Sequence, residues 1–234
     1  RELGGDLYEF LAPEPNQLIV AVGDVSGKGV PAALYSVFAG EVVRSRTFRR
    51  RATHDNPGPG PTLTSINRIL HERQLEEYYC TLCYAIFDLR RHTVTMANSG
   101  LPYPIRCSAD GSTSEQIELP GVPLGSFGTT TYDEIVVPAN PGDVFAFCSD
   151  GISETFSESG AEFGSRRIAD VVRAHHDKPA AEIVEQIFQA MSAFRGNAEQ
   201  TDCDGYGSER DGDVDHGGEG PGAHEHTLRA ERPP

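Results

Sequence analysis

Apolar positions in the first fifty residues come in two short runs and then spread out at a helical period. Residues 6–10 and 17–22 read as strands, with Pro13-Glu14-Pro15-Asn16 as the turn between them. The second run drives into Gly23-Asp24-Val25-Ser26-Gly27-Lys28-Gly29, and a helix predicted over 31–46 leaves it, with Pro31 in its first turn. Arg49-Arg50-Arg51 and the proline- and glycine-rich stretch 56–61 read as a loop. The triplet is expected to be a solvated helix end rather than a nucleic-acid patch. A second helix, over 62–75, carries Leu63, Ile66, Ile69 and Leu70 on one face. From residue 79 the period changes to two, and strands are predicted over 79–88, 93–98, 104–107, 116–119, 132–137 and 143–149. Two further helices follow, over 165–176 and 180–194, the last with Ile183, Val184, Ile187, Phe188 and Met191 inward. Helices at both ends of a block of strands favour α+β layers over a doubly wound βαβ sheet. From Asn197 the pattern stops. The remaining stretch holds ten acidic against three basic residues and seven glycines, so it is expected to be disordered.

Composition narrows the choice of partners. The 234 residues carry a formal net charge of -15, which argues against nucleic acid or an anionic membrane. No apolar run approaches the roughly 20 residues of a membrane span, and no signal-peptide pattern is present. Five cysteines without framework spacing suit reduced thiols and a cytoplasmic setting. The chain opens abruptly on Arg1-Glu2-Leu3-Gly4-Gly5-Asp6, the middle of a motif, and is expected to be a piece of a longer protein.

The Gly23–Gly29 stretch could serve a nucleotide phosphate, a metal, or only a turn. A phosphate loop needs four residues between its first glycine and the Gly-Lys pair, then a hydroxyl residue. Here three intervene and Gly29 takes the hydroxyl position, so that reading fails. A metal site needs several carboxylates at one point. Asp6 follows two glycines, Asp24 and Asp150 end apolar strands, and Asp202 follows the last helix. Such carboxylates suit hard divalent ions, although each Asp beside a glycine, taken alone, is a plain turn. Cys80-Thr81-Leu82-Cys83 has the spacing of a zinc pair but lies in a predicted strand, where its two thiols face opposite ways. Buried apolar cysteines are the better reading. His175-His176 at a helix end and His224-Glu225-His226 in the tail are ordinary surface features.

Five ordered stretches then carry a family resemblance: Gly4-Gly5-Asp6-Leu7-Tyr8-Glu9-Phe10, the Gly23–Gly29 motif, Asn67-Arg68-Ile69-Leu70, Pro123-Leu124-Gly125 and Ser149-Asp150-Gly151-Ile152-Ser153-Glu154. Together they resemble the successive motifs of PPM-type metal-dependent Ser/Thr protein phosphatases, in the SpoIIE/RsbU-type branch. The resemblance implies a four-layer αββα sandwich over residues 1–202, followed by the acidic tail 203–234. It implies a two-ion Mn²⁺ or Mg²⁺ site. There Asp24 bridges both ions, the Val25 carbonyl binds one, and Asp6 acts through metal-bound water. Asp150 and Asp202 complete the shell of the second ion, and Arg1 grips the substrate phosphate. The implied reaction is hydrolysis of phosphoserine or phosphothreonine by a metal-bridging hydroxide. The implied partner is a phosphorylated anti-sigma-factor antagonist in bacterial partner-switching signalling.

Two departures bear on that expectation. Relatives follow the Asp202 position with an alternating apolar strand, whereas here Cys203-Asp204-Gly205-Tyr206-Gly207 opens the acidic tail, as a frameshift in the gene would produce. The strand preceding Arg1 is also absent. A sheet without its first and last strands exposes unpaired edges, which favours a homodimer. Leu101 stands where relatives often have histidine. The rival readings are a catalytically impaired module that only binds a protein partner, and a two-metal phosphodiesterase.

Overall fold

The computed structural model describes residues 4–53, 57–73, 78–198 and 226–229, with 49–53 and 226–229 described through their backbone. Nine strands and five helices appear among them. A five-stranded antiparallel sheet has the order β1-β2-β3-β4-β7, formed by Leu7–Glu14, Gln17–Val25, Cys80–Asp88, Thr93–Asn98 and Ile135–Pro138. A second sheet, β6-β5-β8-β9, is formed by Ser114–Gln116, Ile105–Cys107, Val144–Phe147 and His226–Arg229. Helices α1 (Gly29–Thr53) and α2 (Pro59–Glu72) cover the first sheet. Helices α4 (Gly164–Ala174) and α5 (Ala180–Arg195) cover the second, and α3 (Asp150–Ser153) is a single turn after β8.

The layering follows from strand alternation, since successive side chains face opposite sides of a sheet. On β2, Ile19 and Ala21 join the core under α1 and α2, while Val20 and Val22 join the core between the sheets. On β3, Leu82, Tyr84 and Ile86 take the helix side and Cys83, Ala85 and Phe87 the inter-sheet side. On β8, Phe145 and Phe147 face the first sheet while Val144 and Ala146 face α4 and α5. Three apolar cores between four layers are the αββα sandwich that the resemblance implies. The two cysteines of Cys80-x-x-Cys83 are both buried, one in each of two different cores, as their strand spacing requires.

Several boundaries differ from expectation. Helix α1 runs on to Thr53 because no glycine or proline stops it and cations near a helix C-terminus are favourable. Helix α2 starts at Pro59, inside the supposed loop: a first-turn proline lacks only an N–H that would have no helical partner. Its start is held by Glu134, whose Oε1 accepts from the Gly60 N–H at 2.8 Å. The tail also needs correction. Residues 226–229 form β9 and pair antiparallel with β8 from Val144↔Arg229 to Phe147↔His226. Disorder throughout 203–234 and an unfilled last-strand position are therefore not what these four residues show. The backbone groups of β8 on that side would otherwise lack partners, which costs more than ordering four residues alone suggests.

The stacking of Phe87 and Phe145 rings, 5.3 Å apart and nearly perpendicular, joins the two sheets. Phe145→Ala is expected to lower unfolding free energy by about 3–5 kcal/mol in urea titrations. The exposed Phe127→Ala is expected to stay within about 0.5 kcal/mol of the parent.

Candidate active site

Three of the aspartates singled out in the sequence meet at one end of the sandwich, where the inter-sheet core opens. Asp24 occupies the next position on the face of β2 that carries Val20 and Val22, so the alternation that buries those valines turns its carboxylate toward the gap between the sheets. The β1–β2 register, Leu7↔Gly23, is continued by a Val25 N–H to Gly5 carbonyl bond of 3.2 Å, which sets Asp6 across from Asp24. Asp150 arrives from the other sheet, at the start of α3 just beyond β8.

Close backbone approach makes this possible. A Cβ on Gly5 would lie 2.2 Å from the Val25 carbonyl oxygen and 3.0 Å from Asp24 Oδ1. One on Gly23 would lie 2.5 Å from the Thr81 carbonyl oxygen. On its other side β2 is pinned to β3: Thr81 Oγ1 donates to the Asp24 carbonyl (3.3 Å), the Ser26 N–H to the Tyr79 carbonyl (2.9 Å), and the Tyr79 N–H to Ser26 Oγ (3.0 Å). Gly27 and Gly29, with φ of +89° and +80°, then turn the chain into α1.

The carboxylates repel one another in a poorly hydrated place. Burial, then the charges of Asp6 and Asp150, push Asp24 up to about 7, and it is hydrogen-bonded to the Asp6 carboxyl. Asp150 is also raised, by burial first and then by Glu154 and Asp6. A site that disfavours its own negative charge, built of oxygen donors, fits a hard divalent cation. Asp6, Asp24 and Asp150, with the Val25 carbonyl, are the groups that would hold one. Among the described residues no three His, Cys, Asp or Glu side chains stand close enough together to hold an ion unaided.

Arg1 and Asp202 lie outside the described residues. Gly5, Thr81 and Glu154 were not singled out as contributors by sequence reasoning. Gly5 and Glu154 lie inside quoted motifs, and Thr81 is marked only by its cross-strand place opposite Asp24. The other two motifs prove to clasp each other. Buried Asn67 accepts from the Gly125 N–H (2.8 Å) and donates to the Phe127 carbonyl (2.8 Å), fixing the loop after Pro123 onto α2. Leu101 is buried, its backbone bonded to the Asn98 side chain.

Comparison with known proteins bears on the family and the fold. Residues 14–203 match the family described as Stage II sporulation protein E (SpoIIE). Phosphoserine phosphatase RsbU of Bacillus subtilis (strain 168) is 26% identical over 192 residues, covering 82% of this chain and 55% of RsbU. The chain thus spans about half the length of that curated relative. Among solved structures, the SiaA-PP2C domain of Pseudomonas aeruginosa superposes with a TM-score of 0.73 at 24% identity, over 86% of this chain and 81% of that one. RsbX in complex with magnesium gives 0.56 at 17% identity, over 84% and 86%.

Two outcomes follow for the site. Gly5→Ala is expected to cost about 2–3 kcal/mol through backbone displacement, measured by chemical denaturation. In an unfolded chain Asp24 ionises near 3.8 and in the fold near 7, so the metal-free protein loses stability as pH rises from about 4 to above 7. Asp24→Asn removes that loss: its apo melting temperature at pH 8 is expected to exceed the parent's by at least about 3 °C.

Proposed function

The chain belongs to the SpoIIE family, and we propose that it is the catalytic domain of a metal-dependent protein serine/threonine phosphatase. The observation that carries this reading is the convergence of Asp6, Asp24 and Asp150 at the open end of the inter-sheet core. Two divalent ions, Mn²⁺ or Mg²⁺, bound there would supply Lewis acidity and an activated water at neutral pH. The chain's own groups do the rest. Asp24 lies on β2, which is paired on both sides, and its carboxylate is repelled by those of Asp6 and Asp150. The Val25 carbonyl, anchored through its own N–H to Gly5, adds a fixed dipole. Asp150 brings a carboxylate from the end of β8, in the opposite sheet. Arg1 is assigned to the substrate phosphate and Asp202 to the second ion.

The substrate is taken to be a phosphoserine or phosphothreonine of a protein, of the anti-sigma-factor-antagonist type. RsbU, a phosphoserine phosphatase by name, supports the monoester class. No helix of the described residues is long and apolar enough to cross a membrane. Cys80, Cys83, Cys107 and Cys148 are buried thiols not joined in disulfides, which supports a reducing, cytoplasmic location. Among the described residues β1 and β7 are the outermost strands of their sheet, which supports association of two copies. The second reading, a protein-binding module without activity, is favoured by the lack of a ready-made ligand cage among the described residues.

Assays on p-nitrophenyl phosphate and a phosphoserine peptide separate these readings. Hydrolysis is expected to require Mn²⁺ or Mg²⁺, to stop with EDTA, and to fall at least ~100-fold in Asp24→Asn and in Asp150→Asn. A phosphodiester should be inert. Full activity in Asp24→Asn would refute the metal mechanism, and inactivity of the parent under all ions would leave the binding module standing.

A further inference from the structure

The second sheet owes its outer strand to a remote part of the chain. β8 pairs on one side with β5, from Ile105↔Ala146 to Cys107↔Val144, and on the other with β9 at Val144–Phe147. β9 is only four residues long and far in sequence from the strand it pairs with: β8 ends at Phe147, helix α5 ends at Arg195, and β9 begins at His226. Its neighbours are β8 and α5, so it lies in a channel between a sheet edge and a helix. Among the described residues it has no strand on its far side.

We propose that the β8 edge beside α5 is an acceptor site for an extended peptide strand, filled in cis by residues 226–229. Three observations carry this. First, β8 is wholly buried and continues directly into Ser149 and Asp150, so its backbone must be paired by something. Second, the site is already shaped, since β5 fixes the register of β8 and α5 covers one flank. Third, the occupying segment brings nothing specific in sequence: His-Thr-Leu-Arg has one apolar residue. Main-chain hydrogen bonds must supply most of its attachment, as in strand addition generally. An occupant held that way, by four residue pairs and with a long connection to close, is exchangeable.

The test uses the full chain. Thr227→Pro/Leu228→Pro removes two consecutive N–H donors, one of which faces β8 in either register. Hydrogen exchange of the 144–147 amides that do not face β5 is expected to accelerate at least ~10-fold, while β2 and β3 amides keep their protection. A synthetic peptide spanning 222–232, added at about millimolar concentration, is expected to restore slow exchange. If the double-proline chain unfolds, Thr227→Pro and Leu228→Pro are made singly, and the one whose N–H faces β8 is expected to show the same local, peptide-reversible acceleration. Unchanged β8 exchange in the variant would overturn cis occupancy. Acceleration that the peptide does not reverse would overturn the acceptor site.

Discussion

Three carboxylates held together against their own repulsion set the terms for the rest of this fold. Asp24 cannot relax away from Asp6, because β1 and β2 are locked in register on both sides of the pair. Nor can it rotate out of the sandwich without uncovering the face shared with Val20 and Val22. The strain shows in the proton affinity of Asp24, lifted toward neutrality by burial and by its two neighbours. Such an arrangement is poor for the stability of the empty fold and favourable for binding a divalent cation, since one ion relieves desolvation and repulsion together.

The four layers supply the rigidity that this requires. Each sheet is buried on both faces by apolar alternation, and the middle core, through Phe87, Phe145 and Phe147, fixes the distance between them. That distance decides whether Asp150, on the second sheet, reaches Asp24, on the first. Glycine has a steric role at the site: Gly5 and Gly23 let neighbouring backbones approach more closely than any Cβ would allow. The clasp of Asn67 on the loop after Pro123, and the pairing of Cys80 with Leu124, tie the helix layer to the same end of the molecule.

Much of this was legible in the chain because strand alternation and breaker residues act locally. The runs of β2, β3 and β8 and the apolar stripes of α2 and α5 declare themselves through period alone. So do the carboxylates: Asp24 and Asp150 end apolar runs, Asp6 opens one, and each has a glycine beside it. What stayed hidden depends on partners remote in sequence. Thr81 acquires its role only through the Asp24↔Thr81 register. Pro59 and Pro61 look like breakers until Glu134, remote in sequence and just before β7, takes up the start of α2. β9 is the plainest case. No local pattern marks His226–Arg229 as a strand within an acidic, glycine-rich tail, and only the open edge of β8 gives it a place.

The central claim is that these aspartates form a cation site in the SpoIIE-family fold. Calorimetric titration of Mn²⁺ into the full chain at pH 7.5 tests it without reference to turnover. The account predicts saturable binding of two ions per chain, lost in Asp24→Asn. Heats no larger than dilution in the parent, or an unchanged isotherm in Asp24→Asn, would contradict it.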